Sequence, residues 1–284
     1  MNAPDPTRAE MLELSPASFQ RFARFITARL GIKMPDAKAT LLQNRLLRRL
    51  RALGLSTLDE YQEYLFDEAH QESEMAAFID AITTNKTDFF REPSHFEYLR
   101  ATALPALDPS AGKAWNCRVW CAGCSSGEEV YTLAMVLAEF GRARGQFDFA
   151  LLATDISTRV LAQARDGIYD EERIAPVPPA LRQQYFLRSR DRAQPRVRIA
   201  AALRSRVHFH RLNFMDAEYP VRDVFDVIFF RNVMIYFDRS TQQDVVNKLA
   251  AHLRPGGFIF VGHSESLLGL ALPVRMVASA VYRK

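Results

Sequence analysis

Apolar residues recur at spacings of three and four from Phe19 to about Ile82, then gather into short unbroken runs from Val119 onward. The first pattern predicts amphipathic helices and the second buried strands. Ser15-Pro16 reads as an N-cap followed by proline at the first helical position. The stripe Phe19, Phe22, Ile26, Leu30 follows, and Gly31 closes it. Asp36 can cap a second helix that runs to Gly54, with Leu42, Leu46, Leu50 and Leu53 on one side. Ser56 and Asp59 open a third helix around Leu58, Tyr61 and Leu65, and Phe78, Ile79 and Ile82 fit a fourth. Residues 15–84 therefore predict a small all-helical domain.

The stretch Thr83 to Pro93, T-T-N-K-T-D-F-F-R-E-P, breaks the helical spacing and reads as a loop. A helix from Ser94 to about Ala103 and a proline-bearing linker to Gly112 complete an inter-domain segment, 85–112. The remainder, 113–284, changes rhythm. Arg118-Val-Trp-Cys121 predicts a buried strand, Ala122 to Gly127 a turn of small residues, and Glu128 onward a helix. Phe149 to Asp155 predicts a second strand ending in an acid, followed by a helix capped by Ser157 and closed by Gly167. This βαβα order implies parallel strands. Residues 168–206, with Pro176, Pro178, Pro179 and the alternating Arg196-Val-Arg-Ile199, predict an inserted small antiparallel sheet. The parallel rhythm resumes with Val207 to Leu212 and Phe225 to Phe230. A helix from Ser240 to Leu253, a turn at Arg254-Pro-Gly-Gly257, Phe258 to Val261 and a last strand within Val277 to Tyr282 follow.

Composition narrows the class. The 284 residues are 48 % hydrophobic and 25 % charged, as in ordinary globular protein. No apolar run approaches the roughly 20 residues of a membrane span, and the first 14 residues lack a signal-peptide pattern. Three cysteines suit a reduced compartment, so a cytoplasmic protein without disulfides is expected. The net charge of +4 is unevenly spread. Lys38 to Gly54 carries one Lys and four Arg without an acid, and Arg188 to Arg211 carries eight Arg against one Asp. On the second helix Lys38, Arg45 and Arg48 lie away from the leucine side, with Arg49 at its border. Such surfaces are solvated faces, or docking surfaces for acidic protein or nucleic acid.

The candidate chemistry centres on the turn. Gly123 and Gly127 bring backbone N–H groups within reach of a ligand, but no P-loop lysine follows and the spacing is not G-x-G-x-x-G. Glu128 and Glu129 would repel phosphate and suit a ligand bearing cationic or hydroxyl groups, such as S-adenosylmethionine. The alternative is a helix start charged to complement its own dipole. Asp155, at the end of the second strand, stands where such folds place a ribose-binding acid. Cys117, Cys121 and Cys124 spell C-x3-C-x2-C, but an extended strand separates the first two by about 13 Å, so small buried thiols are expected and no metal. The six histidines show no ligand spacing. Arg231 to Phe237, after the fourth parallel strand, stands where an open α/β sheet contacts its ligand.

Five ordered stretches resemble one family: T-N-K-T-D-F-F-R-E (84–92), S-S-G-E-E-V-Y (125–131), A-T-D-I-S (153–157), R-N-V-M-I-Y-F (231–237) and G-H-S-E-S (262–266). Together they are similar to the bacterial chemoreceptor glutamate methyltransferases, the CheR family, from about Ser15 to Tyr282. The resemblance implies an α/β fold of the class I S-adenosylmethionine-dependent methyltransferase type. It would carry a small N-terminal all-α domain and an inserted antiparallel β-subdomain. It implies methyl transfer to glutamate carboxylates in the cytoplasmic helical region of chemoreceptors, giving methyl esters for chemotactic adaptation. The cofactor contacts it implies are Asn85, Thr87, Arg91, Glu129, Asp155, Asn213, Phe214, Asn232 and Val233. It assigns receptor docking to Lys38, Arg45, Arg48 and Arg49, while Arg91 and Tyr236 are candidates for the methyl-transfer pocket. Some members grip a receptor C-terminal tether peptide with the β-subdomain, which stays open here. The carboxylate nucleophile is ionised near neutral pH, so no acid–base dyad is required. Two competing readings remain: a class I methyltransferase acting on RNA or a small molecule, and a non-catalytic receptor-binding adaptor. The absence of aromatic-interleaved basic motifs speaks against nucleic acid.

Overall fold

The structure, a computed structural model, describes residues 13–109, 113–191 and 193–284. The first 12 residues, where the signal-peptide expectation mostly falls, lie outside it, as do the end of the expected linker and Arg192. The chain divides into two compact units, one comprising residues up to Thr84 with Tyr236–Asp238, the other Asn85–Ile235 with Arg239–Lys284.

Among its described residues the first unit has four α-helices: α1 (Pro16–Leu30), α2 (Ala39–Leu53), α3 (Leu58–Phe66) and α4 (Glu68–Ile82). Ser15 caps α1 through the Ser18 N–H, and Gly31 ends it in the left-handed conformation. The core forms where the apolar stripes meet. Phe22 lies 6.3 Å from Tyr61 and 6.2 Å from Phe78, and Leu42, Leu46 and Leu50 are buried. Two expected caps are corrected. Asp36 opens a 3-10 turn, Asp36–Lys38, and its carboxylate accepts from Gln20 rather than capping α2. Thr57, not Ser56 or Asp59, caps α3, in a reciprocal capping box with Glu60.

The second unit begins with α5 (Pro93–Tyr98), a π-turn over Leu99–Ala103 and α6 (Leu104–Leu107), so the start of the expected linker is helical, with Leu104 and Leu107 buried. Then come β1 (Trp115–Ala122), α7 (Glu128–Arg144), β2 (Phe147–Asp155) and α8 (Thr158–Asp166). The insertion holds β3 (Ile168–Asp170), α9 (Pro179–Tyr185), β4 (Phe186–Arg188) and β5 (Arg196–Ile199). After α10 (Ala201–Arg204) the order continues with β6 (Val207–Arg211), β7 (Phe225–Phe229), α11 (Arg239–Ala251), β8 (Leu253–Phe260), β9 (Arg275–Ala278) and β10 (Val281–Arg283).

The main sheet has the order β6-β2-β1-β7-β8-β10-β9, parallel from β6 through β8. Its strands are apolar because helices cover them: α7 and α8 pack on β2, and α11 on β8. Strand order reverses between β1 and β7, and the crevice at their carboxyl ends is the place such sheets offer a ligand. The inserted sheet is separate and antiparallel, in the order β3-β5-β4. Two local expectations change. The proline-glycine turn at 254–257 lies inside β8, with a register shift against β7. The single last strand becomes the antiparallel pair β9 and β10, with Ala280 in the left-handed region between them.

Candidate active site

The turn after β1 is built by the end of β2. The N–H groups of Gly123 and Cys124 both donate to the Thr154 carbonyl, at 2.8 and 2.9 Å. The next N–H, on Ser125, donates to Asp155 Oδ2 at 2.8 Å, and the Ser157 N–H donates to Oδ1 at 3.0 Å. Asp155 is buried and fixed beside the turn. Gly123 and Gly127 both have positive φ. A Cβ on Gly123 would stand 2.6 Å from Val233 Cγ2, so the turn and the loop after β7 close on one another at a point only glycine allows.

That second loop is shaped by two charged residues. Arg231 is wholly buried, with Nη1 2.9 Å from Glu129 Oε2 and Nη2 3.0 Å from Glu92 Oε2. It also donates to the Arg91 carbonyl at 2.6 Å. One guanidinium thus joins the loop of 85–92, the start of α7 and the end of β7. Burial pushes the Glu92 carboxyl up, but the charge and hydrogen bond of Arg231, with donors on Asn232 and His263, outweigh it and hold it below the ordinary range. Burial also pushes Glu129 up, and there Arg231 only partly offsets it. Glu265 accepts from the N–H groups of Gly262, Asn232 and Ile235 at 2.7, 2.8 and 3.2 Å, which holds Asn232 in the left-handed region, φ 59°.

The structure gathers Asn85, Thr87, Arg91, Glu129, Asp155, Asn232 and Val233 into the second unit, through linked contacts. The Asn85 carbonyl accepts from the Ser125 hydroxyl at 3.1 Å, the buried Thr87 offers its carbonyl to Arg173 at 2.7 Å, and Asn232 Nδ2 faces Glu92 Oε1 at 3.4 Å. Arg91 donates to the Lys86 carbonyl at 3.3 Å. Asn213 follows β6 and accepts the Met215 N–H, while Phe214 is buried against Phe230. Of six non-glycine residues with positive φ among the described residues, Phe90, Glu92, Ser125 and Asn232 lie in these segments. Strain of this kind is concentrated where a site over-determines the backbone.

Tyr236 belongs to the helical unit rather than to this cluster. Its carbonyl accepts the Lys33 N–H at 2.8 Å and its ring lies 6.0 Å from the Lys38 ammonium. The four basic residues of the α2 region are not equivalent. Arg49 makes two hydrogen bonds, 2.7 and 2.8 Å, to the buried Glu74, which also accepts from Tyr61. Arg45 binds the Ile82 carbonyl and the Thr84 hydroxyl at the end of α4, and Lys38 donates to the Lys33 carbonyl. Arg48 is exposed.

Sequence reasoning missed Arg231 and Glu265 as site-builders, although both lie in quoted stretches. An arginine directly after an unbroken apolar strand was the available signal. It also missed that His95 and His263 meet, ring centroids 4.5 Å apart. With Glu92 they bring potential ligand atoms within 4.8 Å of one another. Glu92 Oε2, however, already accepts from Arg231 and the His263 N–H, and a cation there would face the Arg231 charge. The three cysteines are buried, and burial pushes their thiols well up.

A doubly wound sheet with a glycine turn after its first strand and an acid after its second defines a nucleoside-cofactor α/β protein. Comparison with known proteins is more specific. Residues 85–282 match the CheR methyltransferase S-adenosylmethionine-binding domain and residues 17–83 the CheR methyltransferase all-alpha domain. The chemotaxis protein methyltransferase of Escherichia coli is 40% identical over 96% of this chain and 92% of its own length. That of Borreliella burgdorferi is 36% identical over 96% of both. Chemotaxis protein methyltransferase 2 of Pseudomonas aeruginosa is 38% identical over 93% and 91%. Among solved structures, an S-adenosylmethionine-bound amino pentose methyltransferase from Micromonospora aligns at 15% identity and TM-score 0.34, over 69% of this chain and 56% of that one, too loosely to inform function. The chain belongs to the CheR methyltransferase family. It is an S-adenosylmethionine-dependent methyltransferase with the class I fold, and no helix among the described residues is long and apolar enough to cross a membrane.

Proposed function

We propose that this protein methylates glutamate side chains of chemoreceptors from the cytoplasm, producing methyl esters in chemotactic adaptation. The observation that carries the reading is Asp155 bound to the glycine turn, Glu129 at the start of the helix after it, and the Asn232–Val233 loop closing on Gly123, in a chain of this family. In this reading residues 15–84 dock on the receptor, 85–112 supply a loop of cofactor contacts, and 113–284 hold the donor.

The donor set fits S-adenosylmethionine: acids for a ribose and for cationic groups, with amide and backbone donors beside them. When bound, the cofactor supplies an electrophilic methyl group. Asp155 would accept from the ribose hydroxyls, and Glu129 would face the cationic amino-acid end. Asn232 and Val233 would form the floor, with Asn85, Thr87 and Arg91 on the cofactor loop and Asn213 and Phe214 beside the adenine. The substrate glutamate, with an ordinary pKa of about 4.3, arrives ionised, so no base is needed. The protein's work is to desolvate and aim that carboxylate. Arg91 orients a carboxylate.

The exposed Arg48, with Arg45 near it and Lys38 at the start of the same basic helix, supports docking on an acidic receptor helix. The edge strand β4, with Leu187 exposed next to Arg188, supports a seat for an extended C-terminal tether peptide. Peptide mapping of receptor cytoplasmic fragments incubated with enzyme and S-adenosylmethionine tests the proposal. Methyl groups are expected on glutamate, and modification confined to other residue types would overturn it.

A further inference from the structure

The inserted three-stranded sheet touches the cofactor turn through two side chains that no motif contains. Tyr169, on β3, donates its hydroxyl to the Ser126 carbonyl at 2.8 Å. It stands so close to Gly127 that a Cβ there would lie 2.8 Å from the phenol oxygen. Arg173, in the 3-10 turn after β3, reaches further. One of its nitrogens donates to the Thr87 carbonyl at 2.7 Å and to Glu128 Oε1, and the other lies 3.3 Å from Asp88 Oδ1. Glu128, the first residue of α7, is buried, and its second oxygen accepts the Ser126 hydroxyl at 2.7 Å.

We infer that Arg173 is a positioning residue for cofactor binding: it holds the 85–92 loop at a fixed distance from the glycine turn. This rests on the reading that loop and turn together bind S-adenosylmethionine. The chain bond between loop and turn runs through α5, α6 and β1, more than 30 positions, and sets no local spacing. Arg173 spans the gap directly. One of its nitrogens serves the Thr87 carbonyl and Glu128 while the other reaches Asp88, a planar two-nitrogen spread that the single ammonium of a lysine does not match. The arrangement also gives the insertion a role in the donor site in addition to any role in docking. Arg173 is partly exposed and borders a polar cavity of about 630 Å³ shared with Asn85, Ser126 and Glu128, so truncating it admits water instead of emptying a packed core.

The test compares Arg173→Ala, Arg173→Lys and the double variant Arg173→Ala/Glu128→Gln with the wild-type full chain. Titration with S-adenosylmethionine gives the dissociation constant, thermal unfolding gives Tm, and receptor methylation gives KM and kcat. Arg173→Ala is expected to weaken cofactor binding about ten-fold and to raise its KM, with kcat at saturating cofactor retained. Arg173→Lys recovers part of the affinity. Glu128→Gln in the Ala background removes the unpaired buried charge, so Tm recovers while affinity stays weak. Unchanged affinity in Arg173→Ala, or affinity that returns together with Tm in the double variant, would overturn the inference. Asp155→Ala run in parallel separates the two claims: if it leaves affinity unchanged, the site reading itself fails, and if the wild type does not bind, both fail.

Discussion

Arg231 Nη1 lies 2.9 Å from Glu129 Oε2 with none of the arginine side chain exposed. The same guanidinium ion-pairs with Glu92 and caps the Arg91 carbonyl. A buried cation between two carboxylates is a costly arrangement whose partners depend on one another. Arg231→Ala is expected to destabilise the protein by about 3–5 kcal/mol, because two carboxylates lose their counter-charge. Arg231→Lys keeps the charge but not the fork, and should be milder in stability while still weakening S-adenosylmethionine binding. Denaturant unfolding and calorimetric titration check both, and a wild-type midpoint in Arg231→Ala would contradict the account.

Glu265 accepts the backbone N–H groups of Gly262, Asn232 and Ile235 and so fixes the loop that carries Asn232 and Val233. Burial pushes its carboxyl up and the backbone donors pull it down, with burial prevailing. Glu265→Gln keeps the shape but presents an N–H₂ to donors. A loss of about 1–3 kcal/mol in stability and weaker cofactor binding are expected, read by unfolding and titration. Glu265→Ala with unaltered affinity would show that the loop holds itself.

His95 is buried, and burial, with the charges of Arg231 and His263, lowers its pKa from 6.5 to about 4. The folded state therefore resists a proton that the unfolded chain accepts. Stability should be intact above about pH 6.5 and fall as pH drops toward 4, by up to about 1.4 kcal/mol per pH unit. Unfolding free energies of wild type and His95→Gln across this window check it. The wild-type profile should be the steeper, and parallel profiles would contradict the assignment.

The basic face of α2 separates into two kinds of arginine. Arg49→Ala strands the buried Glu74 and should lower Tm markedly. Arg48→Glu should leave Tm and cofactor affinity alone, raise the KM for receptor several-fold and flatten its salt dependence. Kinetics at two ionic strengths with receptor fragments decide it.

Much of this was readable from the chain. The helical stripes, the βαβα rhythm and the insertion follow from spacing, because buried faces impose period 3.6 on helices and continuous apolarity on parallel strands. The turn and Asp155 were legible for the same reason, since a strand, small residues and a helix in that order have few folded uses. Arg231, Glu265 and Arg173 were not, because each acts across long sequence separation on a backbone it does not neighbour. Arg173 reaches Thr87 over 86 positions and Arg231 reaches Arg91 over 140. Asp36 misled because an acid before a helix satisfies the capping pattern, yet Gln20 from another helix claimed it. Arg49 was legible as a charge but not as the partner of a buried glutamate.

The central claim is the transfer of methyl from S-adenosylmethionine to receptor glutamate. Incubating the protein with methyl-labelled S-adenosylmethionine and receptor-bearing membranes, then treating the washed receptor with base, tests it most directly. Receptor-bound label that is released as volatile methanol is expected, as is its loss when Asp155→Ala replaces the wild type. Label on nucleic acid or on small molecules, label that resists base, or no transfer at all would contradict it.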